Sequence, residues 1–477
     1  MHDVLIIGAG IVGCAAARAL SRYALNVVVA EKGADVSVGA SKANSGILHA
    51  GYDCAPGTRK AKLNVQGLHK YGQLVQELAI SCRINGSLVV ATEETGLAKL
   101  RALYEQGMGN GVADMEIIDG AQARALEPNL HASVVGALRA RTAGIISPYG
   151  AAIALAENAA VNGVVFSLET CVLGVEKMAD GFAVRVRRGG AEEILHTRTV
   201  INAAGVNAGA FGMPQVEIQP QRGQYYLLDN TQSALVSHTI FPLPTQLGKG
   251  VLIAPTVDGN VLIGPTAENT EDLHDTATTR DGLQDVLDKV RLALTDVPYR
   301  DRIAAFAGVR AKHAGKDFII EEAPAGFVHA MGIDSPGLTA APAIADELVA
   351  PVLARLWPKE KTTFIRERPA ITRFKDLSPA EQARIVAANP AYGAVVCRCE
   401  TVTQAEIAEA VRRFARIQSA PPLAANLDAV KRRARAQMGR CQGGFCTLRI
   451  IELIAREGGI SETAVTKDGT GSEVCPL

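Results

Sequence analysis

The chain has 477 residues, 48% of them hydrophobic and 21% charged, with 46 glycines, a profile that excludes a disordered or fibrous protein and describes a glycine-rich α/β chain. At roughly 100 to 200 residues per domain the length predicts two to four domains. Basic and acidic side chains balance at 49 each, which removes the electrostatic basis for nucleic-acid binding.

The opening "MHDVLII" has no basic n-region, so no cleaved signal is expected. Long uncharged stretches are broken by Gly and Pro before reaching the roughly 18 apolar residues of a membrane span. A cytoplasmic location is expected, with a peripheral position at the inner face of the membrane as the alternative. In the cytoplasm, paired cysteines point to metal before disulfide.

In chain order, "DVLIIG" reads as a buried strand, "CAAARALSRY" as a helix whose small residues face a sheet, and "NVVVAEK" as a second strand ending in an acid. Between them "GAGIVG" sets Gly8, Gly10 and Gly13 in the G-x-G-x-x-G pattern. Gly8 permits the tight turn, Gly10 the approach of a pyrophosphate, and Gly13 the packing of helix on sheet. The helix N-terminus would receive the pyrophosphate, and Glu31 is placed to bond a ribose hydroxyl. A dinucleotide site follows, and the motif alone does not separate FAD from NAD.

Residues 39–57 form a Gly/Ser/Ala/Asn-rich loop of the kind that lies close to a ligand, and "KAKLNVQGLHKYGQLVQELA" resumes a helical pattern. Two hairpins are expected, turning at Gly189-Gly190 and at Asp258-Gly259. The middle third is therefore rich in antiparallel sheet lying between α/β segments, which suggests two domains built from alternating pieces of chain. A charged, Pro-containing connector begins at Trp357 and leads to a small domain that holds the cysteines.

Together "DVLIIGAGIVG…E", "SKANSGILHAGYD", "VINAAGVNA", "AGVRAK" and "GIDSPGLTAAPAIA" resemble the D-amino-acid-oxidase-like FAD-dependent oxidoreductases. Within them the chain is most similar to type II and anaerobic glycerol-3-phosphate dehydrogenases, with L-2-hydroxyglutarate dehydrogenases as near relatives. The resemblance implies a Rossmann-like FAD-binding domain (about 1–80, 145–210 and 305–350) interleaved with an antiparallel-sheet substrate domain (about 81–144 and 211–304). A linker (351–390), a small helical cysteine-rich domain (391–465) and a tail (466–477) complete the chain. The fold class is α/β plus α+β.

For the chemistry, oxidation of an alcohol at a flavin needs a base for the hydroxyl proton and a cation for the anionic end of the substrate. His49, in the Gly-rich loop, is the base candidate; the alternative is a histidine that contacts the flavin or orders the loop. Arg310 matches the family arginine that grips a substrate's carboxylate or phosphate, and a guanidinium fork suits either anion; the alternative is a surface ion pair. Lys249 is a second candidate cation, or a solvated loop residue. By the same resemblance Ser41, Asn44, Ser45, Gly205, Ser335, Gly337, Leu338 and Thr339 line the cofactor, the last four ahead of a helix expected to begin near Pro342.

Cys397 and Cys399 in "VCRC", with Cys441 and Cys446 in "GRCQGGFC", supply four thiolates, enough for one zinc or one 2Fe-2S cluster. A C-x-C arm is unusual for zinc, and the segment resembles the bacterioferritin-associated-ferredoxin-like 2Fe-2S domain of anaerobic glycerol-3-phosphate dehydrogenases; vestigial thiols are the third reading. The basic run "KRRARAQMGR" is expected to be a solvated helix face, or else a surface that compensates an anionic cluster or docks an acidic carrier. Cys14, Cys54, Cys82 and Cys171 are expected to be packing residues, and Cys475 an exposed leftover.

The expected activity is oxidation of sn-glycerol 3-phosphate to dihydroxyacetone phosphate, with FAD and a 2Fe-2S cluster passing electrons to an acceptor protein, subunit or quinone pool. The alternatives are oxidation of L-2-hydroxyglutarate or another 2-hydroxy or amino acid, and a non-catalytic electron-transfer subunit.

Overall fold

The computed structural model describes residues 1–211, 213, 215–243, 251–418 and 423–475. Its first sheet has a parallel centre in which Phe327–Met331, Ala191–Asn202, His2–Ile7, Val27–Ala30 and Val165–Ser167 lie side by side. The run Val4 to Ile7 is buried on both faces, as are Val27 to Ala30, which is why these segments read as continuous apolar runs. The helix Ile11–Leu20 packs between the helices Pro148–Val161 and Gly337–Leu356. Cys14, Ala15, Ala16 and Ala17 are buried along it, small enough for close approach on every side.

The hairpin at Gly189-Gly190 forms as expected, with both glycines at positive φ. A second sheet, antiparallel for most of its width, contains Ser87–Ala91, Met115–Asp119, Gly136–Ala140, Ile218–Leu228 and the hairpin Leu252–Pro255/Val261–Gly264. The strand Arg302–His313 belongs to this sheet, paired in register with Ile218–Leu228. The boundary expected near 305 therefore falls inside a strand, because its pairing partner lies in the substrate sheet.

The helix expected to begin near Pro342 begins at Gly337 and carries Pro342 and Pro351 inside it. A proline at 342 donates nothing to the carbonyl of Leu338, and that carbonyl accepts instead from the Tyr71 hydroxyl at 3.0 Å. Gly337–Leu356 is the one helix among the described residues long and apolar enough to cross a bilayer. Its apolar faces pack on the helices Ile11–Leu20 and Arg59–Glu77, the environment of a buried core helix.

The connector is a strap. Lys361 N–H donates to Arg22 O, Arg368 N–H to Glu77 O, and Ile365 N–H to the Asn162 side chain, each at 2.8 Å. The cysteine domain that follows is built on the helices Gln404–Arg416, Leu427–Ala434 and Thr447–Gly458, and one hydrophobic cluster runs from Val4 and Ile6 through Ala154 and Ala156 to Phe414 and Ile450. Three residues of the basic run are not a solvated face, while Arg440 is 64% exposed and pairs with Asp229. Arg432 and Arg433 are buried against Asp35, Arg433 also against Glu157, and Arg435 against Asp258 and Glu400. Four acids remote in sequence or beyond the helix take these charges inside. Cys475 is half-buried against the same core, not an exposed leftover.

Candidate functional site

The strand His2–Ile7 delivers the chain to Gly8, whose φ of +96° suits glycine and whose Cβ would lie 2.7 Å from Ala203 O. A Cβ on Gly13 would stand 2.0 Å from Gly8 O, so the first helical turn touches the turn before it. Gly10 is the N-cap. The Ile11 N–H donates to Ser41 Oγ at 2.9 Å, and the open first-turn end, lined by Gly10, Ile11 and Val12, faces a cavity of about 1270 Å³.

Glu31 closes the second strand as expected and is buried. Its Oε2 accepts from Ala9 N–H at 2.7 Å and its Oε1 from Gly33 N–H at 2.8 Å. A carboxylate has about four acceptor sites, so two remain for a ribose. Burial lifts its carboxyl above the usual range despite these two bonds. The cavity exceeds the 300–1,000 Å³ typical of a small-molecule pocket and extends from this acid past loop 38–45 to Arg310 in the second sheet. Room, a free helix start and an acid with spare acceptors fit an FAD molecule with a small substrate beside it.

Ser45, Gly205, Ser335, Gly337 and Leu338 line this cavity together with Ser41 and Asn44. Asn44 also orders its own loop, donating to Ala40 O and Ser41 O and accepting from Gly46 N–H. Thr339 does not line the cavity. It is fully buried, and its hydroxyl accepts from His49 N–H at 3.0 Å and donates to Ile47 O, because the helix begins early and turns this side chain toward the strand Ile47–Leu48.

His49 is thereby held from two sides, since its carbonyl accepts from Asn64 Nδ2 at 2.9 Å. Its ring lies 5.8 Å from that of Phe241 within the cavity wall. Arg310 lies opposite Gln221 in the strand register and donates to its Oε1 at 3.3 Å. No carboxylate of the described residues pairs with Arg310, so it is not the surface ion pair of the alternative reading. Gly223 leaves space for the guanidinium, a Cβ there standing 3.0 Å from Nη2, and Gly308 presses on loop 38–45, where a Cβ would meet Ala43 O at 2.2 Å. Lys249 lies outside the described residues.

Sequence reasoning missed the aromatic wall formed by Phe241 and the stacked pair Tyr225 and Phe306, centroids 4.9 Å apart. The available signal was strand alternation: Tyr225 faces inward and Tyr226 the other way.

The second candidate centre lies in the cysteine domain. Cys399 Sγ and Cys441 Sγ are 3.6 Å apart, and the Cys446 thiol stands within hydrogen-bonding reach of Cys397. Each pair takes one cysteine from each arm. Two thiolates on one tetrahedral metal, at about 2.3 Å from it, lie about 3.7 Å apart, close to the first spacing. Among the described residues no three His, Cys, Asp or Glu side chains converge on a point that could hold one ion. The sulfurs thus face each other as two cross-arm pairs, an arrangement that suits two irons. The bond from Cys446 lowers the Cys397 thiol to about 6. Burial raises Cys441, but N–H groups of Phe445, Gly443 and Gly444 help to bring it below its usual value. The partner of each is pushed the other way, Cys446 and Cys399 lying above the usual thiol value, so each pair holds one ready thiolate, and four sulfurs in two facing pairs fit an iron–sulfur cluster.

Comparison with known proteins agrees with both centres. Residues 3–350 match the family described as FAD dependent oxidoreductase, and residues 395–456 match a BFD-like [2Fe-2S] binding domain. The chain is 43% identical to the glycerol 3-phosphate dehydrogenase of Caloramator mitchellensis, over 99% of this chain and 98% of the relative. It is 32% identical to the glycerol 3-phosphate oxidase of Mycoplasma pneumoniae, over 73% of this chain and 94% of that one. The solved structure of dithionite-reduced L-alpha-glycerophosphate oxidase from Mycoplasma pneumoniae with FAD bound superposes with a TM-score of 0.72 at 30% identity, covering 77% of this chain and 98% of the other. The likeness to the oxidase is confined to about three quarters of the chain, whereas the likeness to the dehydrogenase runs on through the cysteine domain. The chain belongs to the FAD-dependent oxidoreductases and carries, behind its oxidoreductase part, a BFD-like [2Fe-2S] binding domain.

Proposed function

We propose that the chain oxidises sn-glycerol 3-phosphate to dihydroxyacetone phosphate and passes the electrons to a separate acceptor protein in the cytoplasm or at the inner face of the membrane. The observation that carries this reading is that likeness to a glycerol 3-phosphate dehydrogenase spans 99% of the chain, cysteine domain included. FAD, when bound, supplies the two-electron acceptor for the C2 hydrogen, and the [2Fe-2S] group supplies a one-electron exit.

The residues of the chain do the rest. Arg310, whose guanidinium donates to Gln221, holds the substrate phosphate by a bidentate fork. An imidazole nitrogen of His49 takes the C2 hydroxyl proton, its backbone fixed by Thr339 and Asn64. Phe241, Tyr225 and Phe306 exclude water from that end of the cavity. Cys399 is exposed, and Phe445 and Leu448 beside the cysteines are 90% and 71% exposed, so the acceptor approaches on this edge.

Anaerobic stopped-flow absorbance tests the reading. Glycerol 3-phosphate is expected to bleach the flavin, and Arg310→Met to lower kcat/KM by about 10- to 150-fold through loss of a charge-assisted contact of roughly 1.5–3 kcal/mol. Bleaching by L-2-hydroxyglutarate and not by glycerol 3-phosphate would move the assignment to a carboxylate substrate. Bleaching by neither, in flavin-loaded protein, would favour a non-catalytic electron-transfer subunit.

A further inference from the structure

We infer that the cysteine domain is also a clasp on the dinucleotide site: Arg432 and Arg433, acting through Asp35, position the loop that follows Glu31, so that FAD affinity and docking of the helix Leu427–Ala434 form one coupled equilibrium. The inference rests on the glycine loop being the FAD site and is independent of which substrate is oxidised.

Asp35 is fully buried in loop 33–38 and does not line the cavity. Its Oδ2 accepts from Arg432 Nη2 at 2.8 Å and from Arg433 Nη1 at 2.8 Å, and its Oδ1 from Arg433 Nη2 at 3.0 Å. The same loop is bonded to the pyrophosphate turn on its other side. Ser37 N–H donates to Ala9 O at 2.9 Å, and Glu31 accepts at once from Ala9 N–H and from Gly33 N–H. The acid that would take the ribose and the backbone that would face the pyrophosphate therefore share a loop whose one buried charge is neutralised from the cysteine domain.

Two further contacts act at the same place. Asn426 Nδ2 donates to Ala34 O at 3.5 Å. Thr470 donates to Glu169 through both its N–H and its hydroxyl at 2.8 Å, and a Cβ on its neighbour Gly469 would lie 2.6 Å from the Ala34 Cβ. If the helix Leu427–Ala434 lifts, Asp35 is left as a buried carboxylate without a counter-charge, and the loop must move to hydrate it. Coupling between two binding events is reciprocal, so whatever FAD adds to the docking of the helix, the helix adds to FAD. Arg432 and Arg433 are positioning residues here, since neither reaches the cavity.

The test is FAD titrated by fluorescence into the deflavinated full-length chain, without substrate. Asp35→Asn and Arg432→Met are each expected to raise the Kd for FAD about tenfold, equivalent to about 1.4 kcal/mol, with Arg432→Lys recovering part of the loss. A purely structural ion pair would weaken the domain and leave the Kd unchanged; a Kd within twofold of wild type in both variants, whether or not the helix is released, overturns the clasp. A measurement on the unmutated protein guards against variants that fail to fold. Hydrogen exchange at residues 427–434, far from the cofactor cavity in sequence, is expected to slow about tenfold when FAD is added. Exchange there that is the same with and without FAD also overturns the inference. Neither readout depends on the substrate, so failure of the glycerol 3-phosphate assignment leaves both outcomes interpretable.

Discussion

Replacing Arg435 by methionine removes a guanidinium that joins the cysteine arm to the second sheet. Its Nε donates to Glu400 Oε2 at 3.0 Å and its Nη2 to Glu400 Oε1 at 3.3 Å; Nη1 reaches Asp258 Oδ2 at 2.7 Å and the Tyr149 hydroxyl at 3.4 Å, and Nη2 also reaches Asn260 Oδ1 at 3.1 Å. All five N–H donors of the fork are used. Glu400 and Asp258 are almost wholly buried, and breaking a buried pair by deleting one partner costs about 3–5 kcal/mol. The lower end applies, because Glu400 keeps Lys375 at 3.4 Å and Asp258 keeps Arg373 at 3.2 Å. About 3 kcal/mol is a factor of roughly 150 in the local opening equilibrium. Unfolding of a multidomain cofactor protein is not a two-state process, so the assay is native-state hydrogen exchange at residues 435–447 in the loaded protein, expected to accelerate by about two orders of magnitude. Arg435→Lys keeps the charge and loses the fork, and should fall between. Acceleration of Arg435→Met below about threefold would show that the pair behaves like a solvated one and would refute the argument.

Gly13→Ala puts a methyl 2.0 Å from Gly8 O, a clash with backbone that only movement of the glycine loop relieves; flavin absorbance per chain is expected to fall at least tenfold, and retention of half the flavin would refute the close-approach reading. Cys399→Ser removes one member of the 3.6 Å sulfur pair but no part of the cavity wall, so iron and sulfide per chain should drop while substrate-driven flavin bleaching keeps its rate. Acid should release the cysteine domain. Burial raises the Asp35 carboxyl, but Arg433 and Arg432 hold it below the ordinary 3.8. A depressed folded value means stabilisation that is complete above the ordinary value and is lost as pH falls through the folded one. Pepsin cleavage between the oxidoreductase part and the cysteine domain is therefore expected only below pH 3.8, and cleavage already complete at pH 4.5 would contradict it.

What was legible in the sequence was what short stretches decide alone. Gly8, Gly10, Gly13 and Glu31 act within one strand–turn–helix–strand unit, and both hairpins turn on neighbouring glycine or Asp-Gly residues. The misplaced features depend on remote partners. A helix running through Pro342 needs the Tyr71 hydroxyl to satisfy Leu338; nothing near residue 342 announces it. Strand Arg302–His313 alternates like many strands, and only pairing with Ile218–Leu228 assigns its sheet. The cross-arm cysteine pairing is likewise invisible in two spacings, since C-x-C and C-x4-C each look like a self-contained arm. The basic run shows the limit most clearly: five positive residues in ten describe a solvated surface by composition, yet Asp35, Glu157 and Asp258 draw three of them inside.

Those three arginines bear on what the cysteine domain is. A small helical unit buries a low fraction of its surface by itself, and here Phe414, Ile450 and Ile454 complete the cluster that contains Val4, Ala16 and Ala156. The unit is thus folded onto the oxidoreductase part by apolar contact and fixed in register by buried charge, with the strap 357–373 bonded along its length to the same surface. A tethered carrier domain would need the opposite features: a free linker, a polar contact face and charges in solvent. In this packing the thiol pairs are held at one distance from the cavity, and the acceptor proposed above would meet the exposed edge at Cys399 and Phe445. The same arrangement predicts that the domain is not separable. Cutting the chain after the strap would leave Asp35 without its arginines, while Glu157 keeps Arg368 at 2.7 Å, so the truncated oxidoreductase part is expected to lose cofactor affinity as well as its electron exit.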